Sequence, residues 1–541
     1  VSATNGRGTV TTYPALTQAD ELAAAGKLDA AAQRIIEHLR RHPDEPQGLA
    51  KLGEFAMLLG GLVQAEQFLR RAILRGANQF EVRRNLASVL NQQERLDEAR
   101  AMFEALASEG DDPTISALHG LTLDKLGRND EAREILENLV TLYPDRPHFW
   151  ISYGHNLRAA GRVDDAIAAY RKATEIDYEC GEAWWGLASI KSRVFTEADI
   201  EMMQKGLKVA IDERNSSPLH FALARAFHDR KRHAEAFEHY REANRQRAES
   251  IGYDAKELTE EIAELERVVT RDFIAALPDV PAGDSVPVFI VSLPRSGSTL
   301  LEQMLGSHAD IEPVGELPYA PAILRSVMEM ATRRGPVTVP QLIAALDPSR
   351  AAAMGEDYLH RAAFHRKTGK RYFIDKLPHN WSNIMFLRKI LPQAKFLDIR
   401  RPAMDCCFSN FTQSFSRAHA SSFALGDIGQ CYVDYVRLMT HLGRVAPGLV
   451  HHIDYAALVA DPEAQLRPAL AHLGLEWDPA ILEFHKLDRV VRTPSSEQVR
   501  RPLNRDGMEV WRPYAEWLGP LRDALGDLAE QEGRRKTPAP S

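Results

Sequence analysis

The stretch VPVFIVSLPRSGSTLLEQMLGSH, residues 286–308, groups side chains able to do chemistry: Arg295, Ser296, Gly297, Ser298 and Thr299 stand between an apolar run and an amphipathic one. A strand feeding such a turn into a helix start aims backbone N–H groups and the positive end of the helix dipole at an anion. The turn lacks the upstream glycine and the lysine of the Walker pattern G-x-x-x-x-G-K-[ST], which argues against an ordinary nucleoside triphosphate. Further along come Glu316, Lys376, Arg400, Arg401, Ser409, Tyr455, Ser495, Ser496, Arg500 and Arg501, several cations and hydroxyls around one evident carboxylate. That set suits a substrate bearing several negative charges together with one proton to be removed.

The elements that must position these residues alternate. VPVFIVS, RYFIDK, AKFLDIR and LVHHI read as short apolar strands, each followed by helical sequence, which predicts an α/β domain with a parallel sheet. Ligands of such sheets sit beyond the carboxyl ends of the strands, where the polar residues fall. Upstream, residues 254–277 read as one amphipathic helix, closed by PDVPAGDSVP, whose prolines and glycine mark a domain boundary. His379 is a rival base beside Lys376, because imidazole exchanges protons near neutral pH. The neighbours His451 and His452 point to opposite faces of a strand and are read, with Asp454, as structural rather than metal-binding. Cys406 and Cys407 are expected on a buried helix face.

The first half repeats. Small residues recur at Gly53, Ala87, Gly120, Gly154, Ala188 and Ala224, in steps of about 34 residues. A second series, Ala31, Ala65, Ala99, Ala132, Ala166 and Ala236, includes alanines twelve positions behind the first. Small residues at that spacing let the helices of a hairpin approach, while Trp150, Tyr170, Trp184 and Tyr240 are expected to fill the space between hairpins. A generic bundle has no reason to keep such a period. Residues 18–247 therefore resemble an all-α tetratricopeptide-repeat solenoid, whose concave groove implies a bound protein or peptide partner.

Composition bounds the rest. At 541 residues the chain is too long for one core. A net charge of −8 supplies no excess of cations for general nucleic-acid binding. Four cysteines without CxxC spacing, the absence of an apolar run of about 18 residues and a polar start favour a soluble protein of the cytoplasm with no transmembrane segment. The expected division is a flexible stretch 1–17, the repeats 18–247, a connecting helix and linker 248–285, an α/β domain 286–530 and a flexible tail 531–541.

Residues 286–520 resemble the PAPS-dependent sulfotransferases, nearest the tyrosylprotein sulfotransferase branch. PRSGSTL is similar to that family's 5′-phosphosulfate loop, IRRPAMDCCFSNF to its 3′-phosphate strand and helix, and SSEQVRRPLN with the later Trp511 to a branch signature. The resemblance implies a P-loop-like fold, PAPS as donor, PAP as product and no metal. It makes Arg295, with Ser296, Gly297, Ser298 and Thr299, the phosphosulfate loop, and Glu316, twenty-one positions after Arg295, the catalytic base. Lys376 of DKLPHNW and Ser495 would stabilise the transferring group. Arg401 and Ser409 would hold the 3′-phosphate, with Arg400 as the alternative, while Tyr455 and Arg501 complete the donor site. Where the branch places arginines after its base, this sequence has Pro318, Tyr319 and Ala322, with Arg325 the nearest cation. The acceptor hydroxyl is thus open among protein tyrosine, glycan, lipid and small molecule. A kinase or NTPase of P-loop type and a repeat scaffold with a non-catalytic nucleotide-binding domain are the competing readings.

Overall fold

The computed structural model describes residues 13–190, 193–210, 212–278, 280, 283–486, 503, 505 and 507–529. Two compact units emerge, residues 1–135 with 322–336 and residues 136–321 with 337–541.

In the first unit, helices pack in successive pairs: Pro14–Ala24 on Leu28–Arg41, Pro46–Leu58 on Leu62–Leu74, and Phe80–Gln92 on Leu96–Ala107. Proline opens two of them, at the position where a missing N–H costs nothing. The small-residue register has a direct physical cause. A Cβ added at Gly53 would lie 2.6 Å from Leu69 Cγ and 3.3 Å from the Ala65 carbonyl. Ala31, Ala65, Ala87 and Ala99 are fully buried. Residues 322–336 join this unit through a specific contact. The Glu329 carboxylate accepts from the backbone N–H of Val63 at 2.9 Å and of Gln64 at 3.0 Å, in the first turn of the helix Leu62–Leu74. Arg325 donates to the Gln92 carbonyl, at the other kind of helix end, at 2.8 Å.

The second unit continues the helical pairs with Pro147–Ala159 and Val163–Ile176, and later Glu213–Asp229 and His233–Ile251. Tyr170 lies against Gly154 and Gly186 so closely that a Cβ on either would fall within 2.7 Å of its ring. Tyr170, Trp184 and Tyr240 are buried as expected. Trp150 instead stays half-buried, its indole N–H donating to the Pro144 carbonyl at 3.0 Å. The single helix expected over 254–277 is two, Ala255–Val268 and Arg271–Ala275. Buried Val269 turns the chain, and the Thr270 hydroxyl caps the second piece by accepting from the Phe273 N–H.

Five parallel strands follow: β1 Val286–Val291, β2 Ile311–Gly315, β3 Tyr372–Asp375, β4 Lys395–Arg400 and β5 Val450–Asp454, in the order β2-β3-β1-β4-β5. Four of these match the predicted strands. β2, IEPVG, was missed because its proline and glycine read as a turn; at the sheet edge a proline leaves no ladder bond unmade. β1 is central and wholly buried. Its Val288 and Ile290 pack with Leu301, Leu305, Ile374, Leu397 and Ile399, while Phe289 stacks on Phe396 at 5.5 Å. Because every strand runs the same way, all five carboxyl ends open on one edge. Loops leave β1 and β4 in opposite directions there, which makes the crevice between their ends the place for a ligand. Among the described residues, no helix is long and apolar enough to cross a membrane.

Candidate active site

Each strand delivers its predicted residue to that edge. The turn after β1 carries Arg295 and Ser296. Glu316 follows β2, Lys376 follows β3, Arg401 follows β4, and Tyr455 opens the helix Tyr455–Ala460 after β5. Arg295 has φ +66° and Gly297 has φ +97°, so the chain folds back on itself before the helix Ser298–Gly306 begins. Gly297 is required for two reasons. Its φ disfavours any side chain, and a Cβ there would meet Tyr455 Cδ2 at 2.3 Å. As the residue preceding the helix it also offers no side chain to cap the first amides.

The turn is held from behind. Asn410 Nδ2 donates to the Pro294 carbonyl at 2.7 Å, and Ser296 Oγ lies 3.3 Å from Cys406 Sγ. Both partners sit on the buried helix Ala403–Phe411, as expected of Cys406 and Cys407. Burial first, and the charge of Arg401 second, pulls the Arg295 guanidinium down to about 10. Arg295 Nε donates to Ser409 Oγ at 3.2 Å, while Arg401 Nη1 donates to the Arg295 carbonyl at 2.8 Å and its guanidinium lies over the Tyr455 ring at 5.6 Å. Two guanidinium groups repelling each other beside a helix start form a site that an anion relieves. Arg401 Nε is buried without a hydrogen-bond partner, a donor left for such a ligand.

Arg400 is engaged elsewhere. Its Nη2 lies 3.3 Å from Asp398 Oδ2 and its guanidinium 5.2 Å over Tyr435, and His452 Nδ1 meets the same Asp398 oxygen at 2.8 Å. His451 stacks instead on His472, at 5.6 Å, so the two histidines do part to opposite sides. Among the described residues, no group of three potential ligands is placed to hold a metal ion.

Lys376 Nζ is hydrogen-bonded to Glu316 Oε1. The lysine side chain is 1% exposed and the glutamate 41%, so the carboxylate alone of the pair is open to an incoming molecule. Burial holds the His379 imidazole below its ordinary pKa, and burial together with His379 pushes His419, 5.9 Å away, down to about 4. The turn bearing Glu316 is fastened at three points. Gly315 N–H donates to Glu302 at 3.1 Å, Leu317 N–H to Asp375 at 3.2 Å, and the Lys376 N–H to the Gly315 carbonyl at 2.8 Å. Neither Glu302 nor Asp375 was singled out from sequence; Asp375 precedes Lys376 directly, and a charged residue inside an apolar strand was the available signal. Ser495 and Arg501, with Ser496 and Arg500, lie outside the described residues.

Residues 287–479 match the sulfotransferase family. This segment is a sulfotransferase domain. Residues 16–80, 118–178 and 154–190 match tetratricopeptide repeats, so the chain joins such repeats to that domain. An uncharacterized protein of Aquifex aeolicus is 28% identical over 451 residues, covering 82% of this chain and 58% of that one. Protein-tyrosine sulfotransferase 1 of Danio rerio is 25% identical over 237 residues, covering 41% of this chain and 65% of its own length. The chain thus spans less than two thirds of either relative. Among solved structures, the sulfotransferase domain of the Synechococcus PCC 7002 olefin synthase is 22% identical with a TM-score of 0.34, covering 49% of this chain and 99% of that one. MamA is 22% identical with a TM-score of 0.28, covering 29% of this chain and 94% of its own. In the sulfotransferase domain the matched stretch includes the turn after β1, Glu316, Lys376, Arg401, Ser409 and Tyr455.

Proposed function

We propose that the protein transfers a sulfuryl group from PAPS to an acceptor hydroxyl. The observation that carries this reading is the buried Lys376 paired with an exposed Glu316 on the strand edge where Arg295, Arg401 and Ser409 also converge. PAPS would supply the sulfonate. Ser296, Gly297, Ser298 and Thr299 would bind its 5′ end with Arg295, and Arg401 and Ser409 its 3′-phosphate, with Tyr455 fixing the turn through Gly297. The partners already taken by Arg400 favour Arg401 in that role. Glu316 would take the acceptor's proton, and Lys376 and Ser495, helped by Arg295 and the amides of its turn, would oppose the negative charge that develops during transfer, with Arg501 completing the donor site.

Protein tyrosine is one acceptor. Recognition of an acidic peptide through the positions just after the base has no support here: Tyr319 is buried with its hydroxyl 2.6 Å from His365 Nε2, and Arg325 serves the Gln92 carbonyl. The repeats would recruit the acceptor or a partner protein. Residues 286–530 are the proposed catalytic domain and 18–247 the proposed recruiting array. Cys180, Cys406, Cys407 and Cys431, none of them in a disulfide, favour a reducing compartment such as the cytoplasm.

Calorimetric titration with PAP and with ATP, each in EDTA, tests the donor site. PAP binding in the micromolar range with ATP far weaker is expected; equal affinity would return the domain to the NTPases. Labelled PAPS incubated with peptides, glycans and lipids, read by mass spectrometry, identifies the acceptor. Glu316→Ala should keep PAP affinity and lower turnover by about two to four orders of magnitude, whereas His379→Ala is the control for the rival base.

A further inference from the structure

We infer that Asp375 and Glu302 are positioning residues that fix the backbone on either side of Glu316. The inference rests on Glu316 being the base. The two carboxylates reach the turn from different elements, β3 and the helix Ser298–Gly306. One receives the N–H of Leu317 and the other that of Gly315, so the residue between them has little freedom left.

Both are deeply buried, Asp375 at 0% and Glu302 at 1% exposure. A carboxylate in such a place is costly unless something needs its acceptor oxygens. Asp375 uses both: Oδ1 accepts from Leu317 N and Oδ2 from the Tyr358 hydroxyl at 2.7 Å. Burial pushes its carboxyl up to about 7, and the nearby Glu316 charge adds to this, while Tyr358, the Leu317 N–H and Lys376 pull the other way. A leucine or valine would serve the sheet core better; a carboxylate there serves the turn. Glu302 lies four residues beyond Ser298, on the helix that starts at the phosphosulfate turn. One rigid element therefore connects the donor's turn to the base's turn.

Loss of this bracket should reduce turnover without touching donor binding. Leucine at 375 matches the side chain in size and offers no acceptor, whereas asparagine can give its oxygen to the Leu317 N–H and its NH2 to the Tyr358 hydroxyl, which also accepts. In the full chain, Asp375→Leu and Glu302→Ala should each lower kcat by about 10- to 100-fold with KM for PAPS within about twofold, the scale set by small misplacements of a reacting group. Asp375→Asn, which keeps the Leu317 bond, should retain most of kcat. Hydrogen exchange at the Leu317 amide should quicken in Asp375→Leu and not in Asp375→Asn. Tyr358→Phe, which spares the Leu317 bond, should cost less than Asp375→Leu. Unchanged kcat in folded Asp375→Leu would overturn the inference, as would PAP affinity falling in step with kcat. If Asp375→Leu fails to fold, Glu302→Ala and the exchange rate of the Gly315 amide carry the test. Glu316→Ala retaining transfer would remove the base assignment and this inference together; Glu316→Ala inactive with Asp375→Leu and Glu302→Ala normal removes the inference alone.

Discussion

A single guanidinium is given two jobs in the proposed donor crevice, and its removal should separate them. Arg401 braces the turn through the Arg295 carbonyl and keeps Nε in reserve. Arg401→Ala should weaken PAP binding by about 1.5–3 kcal/mol, the worth of a charge-assisted hydrogen bond, in calorimetry. Arg400→Ala, whose partners are Asp398 and Tyr435, should weaken it less; the reverse order would exchange their roles. Gly297→Ala offers a steric probe. With φ at +97° and Tyr455 Cδ2 2.3 Å from the new methyl, the turn must open, so melting temperature and PAP affinity should fall together. Pairing it with Tyr455→Ala should recover the steric part only, because the backbone angle stays unfavourable.

Strands and helices show where sequence was readable and where it was not. β1, β3, β4 and β5 announce themselves as apolar runs, and a parallel sheet turns that list into a shared edge carrying Arg295, Lys376, Arg401 and Tyr455. β2 hides behind Pro313 and Gly315, so Glu316 stood out as a carboxylate without the strand that positions it, and only the count from Arg295 in the resemblance gave it a role. The break at Val269 was equally invisible, since an amphipathic period says where a helix faces and not whether a buried residue interrupts it. Hydrogen bonds to the backbone of the turn that bears Glu316 leave no periodic trace at all. They do leave a thermodynamic one. Asp375 is raised in the fold from 3.8 to about 7, so the native state holds a proton the unfolded chain has lost. Its contribution to stability is fully present below about pH 4 and disappears as pH rises through about 7. Asp375→Asn should therefore gain stability relative to the parent protein across that window, in urea titrations at several pH values. A constant difference would mean that Asp375 is ionised throughout.

At the scale of the whole molecule, the repeats are more than an appendage, for residues 322–336 lie between β2 and β3 in sequence yet pack in one unit with residues 1–135. Glu329→Ala should lower the stability of that unit by about 0.5–2 kcal/mol, as loss of a helix cap does, while Glu329→Gln should lose less. A fragment of residues 280–530 should still bind PAP, because the proposed donor-site residues all lie within it, and failure of the folded fragment to do so would refute the proposed division. Its Glu329, however, would face solvent instead of the amides of Val63 and Gln64. That pairing bears on how such a chain can be inherited. Recombination at the linker would give one descendant a carboxylate without its amides and another two amides without their carboxylate. Repeats and sulfotransferase domain are consequently expected to descend as a linked pair, with changes near Val63 and Gln64 answered by changes at residue 329.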